Sequence, residues 1–311
     1  MVKYTFLKLS IIEYTIHIVK FNTVGYNILC MGYFDKDPSD YQFKAFDIET
    51  TGFGAHETLT TLTLEDSGRY HIWINTDGRT VDIQSIRETV SEQSGEDVKI
   101  YAAMDSTELL ESVGTYISEN FNSLDVLVAY NGETWKGGFD LQFLRTACLQ
   151  TGVGWIFDDV NYMDIYPIFG KKNRFNTEIP SHEKLNKTPL KEFADWMGVE
   201  YDSDMTKDEI KTVIASTQYD PQKIIDWATE TEREDIPTKD YSDQVGVYKA
   251  LTGDVHKYDP WANSANAVTA FEDGNFTDLI LHNLADVVKT TELTEMAINL
   301  VSKDDLSLKQ L

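Results

Sequence analysis

Apolar positions along the chain follow two periods, one near 2 and one near 3.6. Residues 41–48 (Tyr41 to Ile48) are almost continuously apolar at their C-terminal end and read as the first core strand. Thr58 to Leu64 and Tyr70 to Ile74 are β-rich runs parted by the turn cluster Glu65-Asp66-Ser67-Gly68, so the three together predict an antiparallel meander. Val81 to Glu92 then predicts a helix and Val98 to Ala103 a further strand. Ser106-Thr107-Glu108 opens a helix whose Leu109, Leu110, Val113, Ile117 and Phe121 keep helical spacing. The continuous apolarity of Asp125 to Tyr130 predicts a buried strand. A helix runs from Asp140 through Leu141, Phe143, Leu144 and Cys148, a strand is read at Tyr162 to Tyr166, and a helix at Pro189 to Met197. Residues 199–262 are acidic, with short helical runs broken by Pro221, Pro237 and Pro260, and predict a helical insertion anchored by Trp227 and Tyr248. The last element is a helix from about Phe276 to Val301, with Leu279, Val287, Leu293 and Met296 turned to the sheet.

Composition supports a folded chain: 311 residues, 41% hydrophobic and 12% aromatic, leave room for a sizeable core. No run approaches eighteen apolar residues, so no membrane span is expected. Two cysteines, Cys30 and Cys148, argue against a disulfide framework or a cysteine zinc site and suit a reducing cytoplasm. The net charge of −25 is spread along the chain. That spread suits a halophilic cytoplasm, where molar salt cuts the Debye length to roughly 3 Å and nucleic acid is no longer repelled. The first thirty residues depart from it, with Lys3, Lys8 and Lys20 against Glu13 alone. Met31-Gly32-Tyr33-Phe34-Asp35 reads as a natural start, so residues 1–37 are expected to be an extension or an over-called start. The main domain then covers 38–303, and 304–311 is expected to be a tail.

The candidate chemistry begins at Phe46-Asp47-Ile48-Glu49-Thr50-Thr51-Gly52. Asp47 and Glu49, two apart on a strand, point to one face. Such a pair either ends a solvated strand before a glycine turn or shares a hard divalent cation, Mg²⁺ or Mn²⁺. Asn131-Gly132-Glu133-Thr134-Trp135-Lys136-Gly137-Gly138-Phe139-Asp140 is a glycine-rich loop after a buried strand. Asp140 there is either a helix N-cap or a third acid brought beside the first two. His282 and Asp286, at i and i+4 of the last helix, share a face. Asp164 reads as a strand-end acid or a supporting group of the site, and Gly170-Lys171-Lys172-Asn173-Arg174 as an exposed loop or a phosphate grip.

In these segments the chain resembles the DEDD superfamily of 3′–5′ exonucleases, also called DnaQ-like. Its motifs match Asp47-Ile48-Glu49, Tyr130-Asn131-Gly132 with Phe139-Asp140, and His282-Asn283-Leu284-Ala285-Asp286. The wording is closest to YprB-like nucleases and the proofreading domain of family B DNA polymerases, over roughly residues 41–300 with 199–262 unmatched. Two departures stand out: a longer loop between Asn131 and Asp140, and a histidine at tyrosine-subclass spacing in the third motif. The resemblance implies an α/β fold of the RNase H-like type, a mixed five-stranded sheet flanked by helices, carrying the α-helical insertion. It implies two Mg²⁺ or Mn²⁺ ions held by Asp47, Glu49, Asp140 and Asp286, and His282 as general base with an ordinary pKa near 6.5. Thr50, Thr51, Gly52, Asn131, Trp135, Phe139 and Asn283 are the implied substrate contacts. Phe53 and Trp135 are candidates to stack on a base, and Lys136 and Arg145 to touch phosphates. The expected activity is 3′–5′ hydrolysis of nucleic acid, with single-stranded DNA 3′ ends as partner and replication or repair proteins acting in trans. The alternatives are a ribonuclease, a structure-specific endonuclease, or a silent nucleic-acid-binding module.

Overall fold

The computed structural model describes residues 37–133, 138–172, 178–182, 185–217, 222–233, 238–240, 243–253, 258–261, 265–300 and 306–311. The expectation for the N-terminal extension falls, apart from Asp37, outside the described residues. Strands β1 (Gln42–Thr50), β2 (Leu59–Asp66) and β3 (Arg69–Asn75) form the antiparallel meander. β4 (Val98–Ala103) adds in parallel outside β3, after helix α1 (Ile83–Ser94). On the other side of β1 lie β5 (Asp125–Ala129) and β6 (Asn161–Asp164), both parallel, reached through helices α2 (Ser106–Asn120) and α3 (Asp140–Thr151).

The sheet is mixed and seven-stranded, not the five-stranded sheet that the resemblance implied, because β4 and one further strand extend its two edges. β9 (Lys309–Gln310) pairs antiparallel with β6. The segment expected as a tail therefore closes one edge, with Leu306 and Leu308 buried beneath it. Short-range periodicity cannot reveal a strand of two residues; its partner in the ladder makes it one.

Helices cover both faces of the sheet. Phe46 and Ile48 of β1 pack with Leu109, Leu110, Val113 and Leu144 of α2 and α3. Ala45, on the other face, packs with Ile72, Ile74 and the residues Leu279, Leu284 and Val287 of the long helix α9 (Phe276–Leu300). Alternation along β1 thus turns Asp47 and Glu49 toward α9. Local chemistry sets the helix ends: the Asp105 carboxylate accepts from the N–H groups of Thr107 and Glu108, and Gly95 ends α1 at φ +80°.

The region read as one insertion divides in two. Helices α4 (Lys187–Met197), α5 (Lys207–Ser216) and α6 (Gln222–Glu230) build a separate core around Phe193, Ile210, Ile214 and Trp227. A two-stranded ladder of β7 (Glu178–Pro180) and β8 (Thr238–Asp240) stands at its two ends. Trp227 therefore anchors this unit to itself. Helix α7 (Gln244–Thr252) belongs to the main body, where Val247 and Tyr248 are buried with Leu293, and the Tyr248 hydroxyl donates to Glu292 at 2.7 Å. Helix α8 (Ala265–Asp273) packs beside α9.

Leu306 tests the closing segment. Leu306→Ala should cost about 2–5 kcal/mol, as truncation in a packed core does, whereas Leu149→Ala at an 85% exposed site should stay within about 0.5 kcal/mol of the parent. Equilibrium denaturant unfolding of the two variants checks this, and equal stabilities would mean that the segment does not close the core.

Candidate metal centre

Three segments distant in sequence bring their acids to one buried place. β1 carries Asp47 and Glu49, paired in register with Thr63 and Thr61 of β2, and the register shifts just past them, between Glu49 and Thr50. α3 begins with Asp140, 8% exposed; Phe139 stands at the N-cap and no side chain caps the helix. The Asp140 carboxylate is therefore not an N-cap and stays with the other acids. α9 supplies His282, Asn283 and Asp286.

Contacts within the cluster are specific. Asn283, fully buried, donates from Nδ2 to Asp47 Oδ2 at 2.8 Å. His282 Nε2 lies 3.6 Å from Glu49 Oε1 and has no hydrogen-bond partner, and neither does Asn283 Oδ1. His282 Nδ1 pairs at 2.8 Å with Oδ1 of Asp259. The Asp259 Oδ2 accepts from Lys289 Nζ at 3.0 Å, and the same ammonium donates to Asp286 Oδ1 at 2.8 Å. Glu49, His282 and Asp286 offer ligand atoms within 4.8 Å of one another, so this group could hold a metal ion.

Burial and like charge together shift the titrations. Burial pushes the Asp47 carboxyl well above its usual range, and Asp140, Asp286 and Glu49 push it further, while Lys289 pulls it back. Asp140 is raised by burial and by Asp164, Glu49 and Asp286. Glu49 is raised to about 8, chiefly by burial and against the pull of His282. Burial would lower His282, yet the Asp259 hydrogen bond and the charges of Asp286 and Glu49 outweigh it and lift the ring to about 9. The expectation of an ordinary imidazole pKa therefore changes: without a cation the ring is protonated at neutral pH and cannot accept a proton. Burial would raise Asp259, yet the His282 hydrogen bond and then the charges of His282 and Lys289 hold it below the usual carboxylate range.

Several of the expected substrate contacts have partners within the protein. The Thr50 hydroxyl donates to the Gly52 carbonyl at 2.7 Å, and the Thr51 hydroxyl donates to Glu57 and accepts from the Thr58 N–H. Both hydroxyls thus fold the loop after β1. A Cβ on Gly52 would meet Glu57 Cδ at 3.1 Å. Asn283 is a clamp on Asp47 rather than a surface contact. Asn131 sits at φ +66° with its N–H on Asp164, which also accepts from the N–H groups of Glu133 and Tyr166. Asp164 is thereby the anchor of this loop, not a solvated acid. Phe139 packs edge-on against the 92% exposed Phe53, ring centroids 5.4 Å apart. Arg145 pairs with Glu133 and lies over the Trp155 ring. Trp135 and Lys136 lie outside the described residues, as do Asn173 and Arg174.

Sequence reading missed Asp259 and Lys289. Lys289 carried a signal: His282, Asp286 and Lys289 fall at i, i+4 and i+7, one helix face. Asp259 carried none, since only the folded chain brings the Tyr258-Asp259-Pro260-Trp261 segment to His282. No protein-family model matches the chain, and a search of curated proteins finds no match.

The raised pKa values give a signed pH dependence. Glu49 contributes stability in full below 4.5 that is lost as pH climbs to about 8; His282 contributes it below 6.5 and loses it by about 9. His71, whose pKa burial lowers to about 4, acts in the opposite sense only between about 4 and 6.5. With a chelator present, the melting temperature should therefore fall from pH 6.5 to 9. Saturating Mn²⁺ should raise it most at the alkaline end, and Glu49→Gln should flatten the fall up to pH 8. Differential scanning calorimetry across this range checks it; a flat profile in chelator would show that these groups are not buried together.

Proposed function

We propose that the protein is a metal-dependent 3′–5′ exonuclease on an RNase H-like fold, hydrolysing phosphodiester bonds of single-stranded DNA. The observation that carries this reading is the convergence of Asp47, Glu49, Asp140 and Asp286 from three separate segments, so close that the other three acids push the Asp47 carboxyl up beyond the effect of its burial. Fold order supports it: the meander β3-β2-β1 continues into parallel β5 and β6, with helices on both faces.

A divalent pair suits the donor set. Four carboxylates bring four negative charges, and Lys289 is the one lysine bonded to them among the described residues. His282 Nε2, 3.6 Å from Glu49, and Asn283 Oδ1 are buried without hydrogen-bond partners and are further atoms able to ligate a cation. Two bound Mg²⁺ or Mn²⁺ ions would activate a water and stabilise the leaving 3′ oxygen. The chain's own residues do the rest. Asn283 holds Asp47 in one orientation, Lys289 holds Asp286, and Asp164 fixes the loop that delivers Asp140. The exposed Phe53, braced by Phe139, offers a ring at the end of the Asp47–Gly52 segment on which a terminal base can stack.

The test is a cleavage assay in molar KCl with Mg²⁺ or Mn²⁺, using 3′- and 5′-labelled single-stranded DNA, duplex DNA and RNA. The expected result is stepwise loss of the 3′ label as nucleoside 5′-monophosphate. Asp47→Ala should lower the rate on the order of 10³-fold, several kcal/mol at about 1.4 kcal/mol per decade. Faster cleavage of RNA would reassign the substrate. Binding without cleavage of any of these would replace the enzyme by a silent module.

A further inference from the structure

His282 is the residue whose surroundings fit a general base least. Its ring is 3% exposed, one nitrogen is occupied, and the other faces a carboxylate. A base for an attacking water needs a neutral nitrogen open to that water. A metal ligand needs a neutral nitrogen aimed at other ligands, with the far nitrogen donating to a carboxylate that fixes tautomer and ring angle. The geometry matches the second description, with a divalent ion displacing the Nε2 proton. With Nδ1 on Asp259 at 2.8 Å, Nε2 faces the space shared with Glu49 and Asp286, where a bound cation would take the place of its proton. Nε2 is a buried polar atom with no hydrogen-bond partner, which in a well-packed site asks for a ligand.

Asp259 is itself held on both sides. Lys289 Nζ takes its second oxygen at 3.0 Å and ties it to Asp286, so the carboxylate that orients the histidine is linked to another ligand of the same group. Two residues on, the Trp261 ring lies 5.5 Å from the imidazole, centroid to centroid, and limits its rotation. A segment at the end of region 199–262 thus completes the site.

We propose that this metal centre has mixed nitrogen and oxygen ligation: His282 Nε2, Glu49 and Asp286 bind one divalent ion, and Asp259 is the positioning residue that aims the imidazole. The consequence is selectivity. Mg²⁺ demands oxygen ligands and gives up water reluctantly, whereas imidazole favours first-row transition divalents. The centre therefore takes Mn²⁺ or a neighbouring transition divalent ahead of Mg²⁺. This deepens the metal part of the proposed function and does not depend on nucleic acid.

The experiment uses the full chain, stripped by chelator and reloaded with Mn²⁺. Pulsed electron paramagnetic resonance should show nitrogen hyperfine coupling to the bound Mn²⁺. His282→Gln should keep Mn²⁺ binding through the carboxylates but lose the coupling, and competition titration should show its preference for Mn²⁺ over Mg²⁺ collapsing. Asp259→Asn, which keeps an acceptor oxygen without the charge, should weaken Mn²⁺ binding about 10–100-fold, with folding verified by circular dichroism. Absence of Mn²⁺ binding, bound Mn²⁺ without nitrogen coupling, coupling that survives in His282→Gln, or Mg²⁺ binding as tight as Mn²⁺ would each overturn the proposal. Nitrogen coupling in a protein that cleaves nothing would instead overturn only the nuclease reading.

Discussion

Five carboxylates, Asp47, Glu49, Asp140, Asp259 and Asp286, share one mostly buried region, and the molecule is arranged around keeping them there. Removing a charge from water costs several kcal/mol unless a partner compensates. The compensation comes from α9, which presents His282, Asn283 and Lys289 to these acids. That helix is also the main apolar cover of one sheet face. Packing and electrostatics therefore constrain the same element: a rotation of α9 that pleased its leucines but turned Lys289 away would strand Asp259 and Asp286. Divalent ions extend the same logic, since the raised pKa values of Asp47, Glu49 and Asp140 mark charge that the protein alone does not neutralise.

The backbone around the cluster is shaped to the same end. The pairing of β1 with β2 stays in register through Asp47 and Glu49 and shifts only past them, so both acids stand on regularly paired backbone. Gly132 lets the loop pass where a Cβ would fall 2.6 Å from Ala129 Cβ and 3.3 Å from Asp140 Oδ2. Asp164 gathers three N–H groups of that region, and Glu133 pairs with both Arg145 and Lys309. The C-terminal strand is thus joined to the loop that delivers Asp140. The shared logic is rigidity: a ligand set works only if its supports hold it without needing to reorganise.

How much was legible in the sequence depended on range. The elements from β1 to α3 followed from periodicity, within one or two residues at most ends, because each buries one face and repeats a local pattern. Asp47, Glu49, Asp140 and Asp286 could be named because their neighbours in sequence carried the signal. The roles of Thr50, Thr51 and Asn283 could not, since a hydroxyl or amide shows its partner only when the loop or helix is in place. Region 199–262 hid two different things, a helical unit with its own core and a return to the main body.

By itself, the sequence determined which groups could ionise, which of them share a strand or helix face, and where the hydrophobic faces lie. These are properties of residue type and of spacing under eight positions, and backbone geometry alone converts them into structure. Only the tertiary structure decided that Asp259 reaches His282, that Lys289 joins Asp259 to Asp286, and that residues 306–311 close the sheet. Those contacts depend on which surfaces meet once the core forms. The identity of a ligand's partner, and so the chemistry of the imidazole, lies at that level.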